Sequence, residues 1–266
     1  MRVAVIGHVE WVSFHRIDQP LQPGAIVRGR SLAEEAAGGG AVAAVELARL
    51  TGACTLFTAL GRDAIGQAIP GVLAAHGVEV QAEWRDEAHR TASTYLDPDG
   101  ERTIVVHGPA QAPSPHAIDM SPFDAVYLCK GDAAVVRRAR AARVVCATAR
   151  ILPSLQAAGV TIDVLVHSAN DPSEAFRRGD LDPEPTLVAT TEGAAGGRYI
   201  TRDGQSGRWA AAELEAPILD TYGAGDSFAA ALTFAIARGD PPPEALAFAA
   251  GRGAAALRRR GAYGAA

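Results

Sequence analysis

A recurring pair of segments most limits what this chain can fold into: a short β-branched run, then a stretch rich in alanine or arginine. Val3 to Ile6 ends at Gly7, and Thr55 to Leu60 ends at Gly61. Then come DAVYLC (124–129), RVVCAT (143–148), DVLVHS (163–168) and TLVATT (186–191). Runs this short and apolar read as buried strands. Between them lie helical stretches. One follows Gly38-Gly39-Gly40 as AVAAVELARLTG and stops at Gly52; another spans about 65–75 and stops at Gly77. Repeated βα units imply a mostly parallel sheet with helices on both faces, a three-layer α/β sandwich. The length, 266 residues, suits one such unit over 1–266.

Two stretches break the alternation. In one, Trp11, Val12, Phe14 and Ile17 precede the turn-rich QPLQPGAIV, which reads as two extended segments around a loop. In the other, TASTYL, DPDGE and RTIVV form a hairpin signature over 91–106. Strands with no place in the main sheet are expected to pair with each other. They predict a small β lid from about 10–35 and 90–107.

Composition narrows the function. The chain is 48% hydrophobic and 21% charged, with net charge −5 and no long basic stripe. That predicts a globular enzyme and no nucleic-acid partner. The run Arg258-Arg259-Arg260 reads as a solvated helix end. Cys54, Cys129 and Cys146 form no CxxC pair and read as reduced and structural. MRVAVIG opens directly on a strand and no apolar stretch approaches a membrane span, so the expectation is a cytoplasmic protein. Lys130 is the only lysine, and CKGDAA fits neither a GxxxxGK[ST] loop nor a strand-borne kinase lysine. Phosphate chemistry here would need backbone amides, arginines and metal.

The stretch Asp220 to Phe228, DTYGAGDSF, carries that chemistry. Phe228, Leu232 and Ile236 repeat at helical spacing after it, so its glycines sit at a loop-to-helix junction. Helix-start amides there point outward and favour an anion. Asp226, in the first turn, would stay ionised through the helix dipole and accept a hydroxyl proton beside those amides. As a plain structural feature, Asp226 also reads as a helix cap on a Gly-rich turn.

DTYGAGDSF resembles the C-terminal signature of the PfkB family, the ribokinase-like carbohydrate and nucleoside kinases. Gly38 to Gly40 with the following helix resembles the family's N-terminal signature, and TALGRDAIGQAI resembles the strand–turn–helix after it. The β insertions resemble the family's lid, and the resemblance covers nearly the whole chain. It implies a ribokinase-like αβα fold and ATP-dependent transfer to a hydroxyl of a small sugar or related acceptor. Asp226 would be the base, with Gly223, Ala224 and Gly225 as anion hole. Thr191, Gly193, Gly196 and Gly251 would line the nucleotide. Glu174, within NDPSE, would help hold Mg²⁺ through water; it also reads as a first-turn residue behind a cap at Asp171. A monovalent cation on carbonyls around Asp220 to Tyr222 is a further option within the family, and a homodimer through the lid is a further expectation from the β insertions.

Departures from the family pattern bear on the acceptor. Ala41-Val42-Ala43 stand where many members place a hydroxyl-binding Asn. Glu10 would replace the usual Asp after the first strand, with His8, Gly38 and Gly39 beside it. Trp11 and Phe14 read equally as substrate contacts or lid packing. Gly251 and Gly253 read as room for the base or as tight helix packing. Arg90, Arg102 and Lys130 read as surface cations, or as contacts to a phosphate on the acceptor. A nucleoside kinase on the same fold and a non-catalytic binding relative remain as alternatives.

Overall fold

The computed structural model describes residues 1–109, 111–214 and 217–264. The chain begins with β1 (Val3–Ile6), β2 (Glu10–Ile17), β3 (Gly29–Ala37), α1 (Gly39–Thr51), β4 (Cys54–Gly61), α2 (Ala64–Ala74) and β5 (Val78–Arg85). Next come β6 (Thr91–Leu96), β7 (Arg102–His107), β8 (Ala125–Leu128), α3 (Ala133–Ala139), β9 (Val144–Thr148), α4 (Leu152–Ala158) and β10 (Val164–Ser168). The chain closes with β11 (Leu187–Thr191), β12 (Gly197–Thr201), β13 (Ser206–Trp209), α5 (Ala224–Arg238) and α6 (Pro242–Ala256).

The main sheet has nine strands in the order β13-β12-β11-β10-β9-β8-β1-β4-β5. From β11 to β5 every pairing is parallel; β12 and β13 close one edge antiparallel. Two cores flank the sheet. One packs α1, α2, α5 and α6 against it, and the other packs α3 and α4 on the opposite face. The expected three-layer αβα sandwich is therefore present. β1 and β8 are buried along their whole length, since neighbours cover both faces.

The edge strands β5 and β13, and β12 beside the latter, did not stand out in the sequence. VEVQAEWR in β5 mixes charged and apolar residues because one side of an edge strand meets water. The arginine run also differs from expectation. α6 ends at Ala256, so Arg258 to Arg260 lie beyond it, and Arg259 Nη1 sits 3.3 Å from Glu46 Oε2. Glu46 on α1 is 1% exposed and also meets Arg252 of α6 and Arg49.

Residues 10–37 and 91–107 form a separate sheet in the order β3-β2-β6-β7, with β2 and β6 parallel. Val12 and Phe14 of β2 pair with Ala92 and Thr94 of β6, and all four are buried. Paired residues share a face, so this is the face turned to the body. Phe14 meets Tyr222 edge-on at 5.0 Å, which makes it a packing residue. All three cysteines are unbridged and buried, and burial pushes their thiols up, Cys146 to about 12. Among the described residues, no helix is long and apolar enough to cross a membrane.

Glu46 neutralises guanidinium groups from two helices and the C-terminal turn. Glu46→Ala is expected to cost about 3 kcal/mol, because it leaves buried positive charge unpaired. Chemical denaturation of the purified variant measures it.

Candidate active site

In a parallel sheet of this kind, ligands gather beyond the carboxyl ends of the strands where the chain changes direction. β1 is that point, with β4 on one side and β8 on the other. Its exit, Gly7-His8, faces the starts of two helices. Gly40 N–H donates to His8 O at 3.1 Å, which ties the start of α1 to the end of β1.

The second helix arrives through Tyr222. Gly38 N–H donates to Tyr222 Oη at 3.0 Å, a buried bond. Asp220 holds that loop in turn: Oδ1 accepts from Tyr222 N at 2.9 Å and Oδ2 from Gly261 N at 3.0 Å. Gly223 caps α5 with φ 74°, a left-handed conformation that other residues adopt at a cost. Ala224, Gly225 and Asp226 then form the first turn, where amides have no partner within the helix.

This brings Asp226 against the start of α1. A Cβ at Gly39 would fall 2.9 Å from Asp226 Oδ1 and 3.5 Å from His8 Cε1. A Cβ at Gly38 would fall 3.3 Å from His8 Cδ2 and 3.4 Å from Glu10 Cγ. Asp226, His8, Glu10, Gly38 and Gly39 thus share one place.

The titration of these groups differs from the sequence-based expectation. Burial raises the Asp226 carboxyl from its ordinary 3.8 to about 6, with Arg150 and Arg102 opposing and Glu174 and Glu10 reinforcing. The helix dipole alone predicts a lower value; desolvation outweighs it. At neutral pH the group is still mostly ionised, and a value nearer 7 makes it a stronger base. His8 is lowered to about 4 by burial, then by Arg90, Lys130 and Arg150, so its ring is neutral at pH 7. Its approach to Glu10, 3.8 Å, is therefore not an ion pair. Glu10 is raised by burial and restrained by Arg90, whose Nε lies 2.7 Å from its Oε1. Arg90 is accordingly a half-buried partner of Glu10 and not a surface cation.

Glu174 occupies a short 3-10 turn behind the Asp171 cap and Pro172, as its local sequence suggests. It is buried, and it accepts from Ser168 N at 2.7 Å and meets Arg150 Nε at 2.5 Å. Arg150 also reaches Asp171 at 2.8 Å. Arg150 was missed as a site residue, and so was the role of the Asp220 side chain in holding the loop. The available signal for Arg150 was its place two residues after RVVCAT, where strand exits gather. Thr191 ends β11, and a Cβ at Gly193 would fall 3.4 Å from Asn170 Nδ2, so the exits of β10 and β11 touch. Gly196, φ 80°, turns the chain into β12 against the backbone of Trp209 and Ala211. Gly251 lies on α6 with open space around it, and no contact joins it to Thr191 or Gly193. Gly253 is the closer of the pair to the site: a Cβ there would fall 3.3 Å from Ala224 O.

Tyr222→Phe removes the acceptor of a buried N–H, and a loss of about 1–3 kcal/mol is expected by denaturant titration. Asp226 yields a pH-dependent prediction. Its folded value lies above its unfolded one, so wild-type stability falls as pH rises from about 4 to about 6. A neutral Asn escapes that loss. Asp226→Asn should melt roughly a few degrees higher than wild type at pH 7.5, with the gap closing near pH 4 in a thermal scan.

Comparison with known proteins bears on the fold and the family. No curated protein sequence matches the chain. Among solved structures, the Methanocaldococcus jannaschii nucleoside kinase superposes with TM-score 0.80 at 16% identity, over 98% of this chain and 93% of that one. Arabidopsis thaliana ribokinase, complexed with ribose and ATP, gives TM-score 0.73 at 20% identity, over 98% and 93%. Escherichia coli phosphofructokinase-2, with substrates and products, gives 0.75 at 18%, over 96% and 92%. At these identities the likeness shows the fold alone. The pfkB family carbohydrate kinase model matches residues 1–175 and 162–266, which together span the whole sequence. The chain belongs to the pfkB family of carbohydrate kinases.

Proposed function

We propose that this protein transfers the γ-phosphoryl group of ATP to a hydroxyl of a small sugar or related acceptor, with Asp226 as the base. One observation carries the reading. Asp226, poised near pH 6, stands in the first turn of α5 beside Gly39 and His8. Base and anion site then belong to the same turn. Asp226 takes the hydroxyl proton as the acceptor oxygen attacks the γ-phosphorus. The bond to the β-phosphate oxygen breaks and ADP leaves. The amides of 223–226 face the charge on the transferring group.

Thr191, Gly193 and Gly196 form the nucleotide side in this reading, with Gly251 on α6 as a further contact. The Arabidopsis ribokinase complex with ATP supports a nucleotide on this fold. Among the described residues no group of three or more His, Cys, Asp or Glu could hold a metal. Mg²⁺ would ride on phosphate oxygens and its own waters, with Glu174 as an outer contact. The metal would neutralise phosphate charge. A monovalent cation on carbonyls around Asp220 to Tyr222 belongs to the same proposal, and exchanging potassium for sodium tests it. The sheet of β2, β3, β6 and β7 acts as the lid. Its edge strand β7, which leaves Ile104, Val105 and Val106 about two-fifths exposed, would be the contact in a homodimer, tested by sedimentation. The reading places the enzyme in the cytoplasm.

A coupled ADP-release assay over sugars, sugar phosphates, sugar acids and nucleosides tests the reaction, with Asp226→Asn as the blank. The variant should lose about 10³-fold in kcat while still binding ATP. Wild-type kcat/KM should fall about tenfold per pH unit below roughly 6. Near wild-type turnover by Asp226→Asn would overturn the assignment of the base. Turnover confined to nucleosides would replace the carbohydrate reading with a nucleoside kinase.

A further inference from the structure

We infer that the acceptor carries an anionic group, phosphate or carboxylate, which Arg102 holds with Lys130. This rests on the kinase reading of the site and names the class of substrate that the site takes.

The small sheet aims Arg102 inward. Arg102, Ile104 and Val106 of β7 pair with Leu96, Thr94 and Ala92 of β6, whose side chains are buried on the body-facing side. Paired residues share a face, so Arg102 lies on the inner one. Its guanidinium stands 5.7 Å over the ring of Tyr222, the residue that bonds Gly38. Ile104 and Val106 share that face yet stay 41% exposed, which leaves an apolar wall beside the cation for a carbon skeleton. Lys130 follows β8 beside the exit of β1, where a Cβ at Gly7 would fall 2.6 Å from Cys129 Sγ, and its charge is felt at His8.

The cations of the site are not equivalent. Arg90 is matched by Glu10, and Arg150 by Glu174 and Asp171. Among the described residues, neither Arg102 nor Lys130 has a carboxylate within ion-pair distance, 4.0 Å. Two unmatched cations beside the acceptor space favour a ligand that brings negative charge. Their field reaches the chemistry: Lys130 contributes to the lowering of His8, and Arg102 opposes the rise of Asp226. The start of α1 offers no competing grip on a neutral polyol. Ala41, Val42 and Ala43 are apolar and at most 2% exposed. His8 Nδ1 and Thr94 Oγ1 are buried without a partner.

Because Lys130 is the only lysine, it is a unique chemical reporter. The experiment pairs reductive methylation of Lys130, read by peptide mass spectrometry, with ADP release. The probes are glucose, gluconate, glucose 6-phosphate and adenosine, each with ATP. One anionic member should protect Lys130 and show kcat/KM at least about tenfold above glucose and adenosine, declining with added salt. Which member does so separates carboxylate from phosphate. Arg102→Ala should raise KM for that acceptor about tenfold or more and leave KM for ATP unchanged. Transfer to glucose or adenosine with equal efficiency, and no protection of Lys130, overturns this inference and keeps the kinase. Protection by an anion without transfer from ATP to any probe keeps the charge assignment and overturns the kinase. Neither protection nor transfer overturns both.

Discussion

The buried hydrogen bond from Gly38 N–H to Tyr222 Oη is the constraint on which the site depends. It joins segments 184 residues apart. On one side it fixes the start of α1, which is also tied to the exit of β1 through His8 O. On the other it fixes the loop into α5, held from below by Asp220 and Gly261. Two helix starts therefore converge on one strand exit. Their outward amides and the carboxylate of Asp226 share a space that no single element could enclose. The absent side chain at Gly39 keeps that space open, since a Cβ there would crowd Oδ1.

Burial then decides the electrostatics. The same packing that presents Asp226 removes its water and raises it to about 6, while His8 beside it is lowered to about 4. A carboxylate that can take a proton thus sits next to an imidazole that stays neutral at pH 7. Arginines enter from separate elements: Arg90 before β6, Arg102 on β7 and Arg150 after β9. Arg90 and Arg150 are spent on Glu10 and Glu174, and in doing so they hold those buried carboxylates in place. The small sheet, which packs on the body through Phe14 and Tyr222, is what carries Arg102 to the site.

Local pattern alone was enough for most of the architecture. Runs such as VVCAT and VLVHS read as buried strands because they are buried on both faces, and DTYGAGDSF read as an anion-binding helix start because its glycines and its helical period adjoin. The edge strands were not legible, since partial exposure gives β5 and β13 mixed compositions. Arg90 was misplaced for a related reason. A charged residue looks like surface until its partner is known, and Glu10 lies 80 positions earlier in the chain. The arginines at 258–260 looked like a solvated tail, but Arg259 reaches back to Glu46 on α1.

The sequence by itself determined the three-layer αβα plan and the helix start that carries Asp226, and its motifs carried the resemblance to the family. The plan and the helix start follow from period, short-range spacing and glycine placement, which act within a few residues. Only the tertiary structure decided that Asp226 titrates near 6. It alone showed that Gly39 makes room for that carboxylate, that the Asp220 side chain holds the loop into α5, that Arg150 lies near Asp226 beside Glu174, and that Arg102 faces inward without a counter-charge. Each of these is set by distance between elements far apart in the chain, and by the loss of water where they meet.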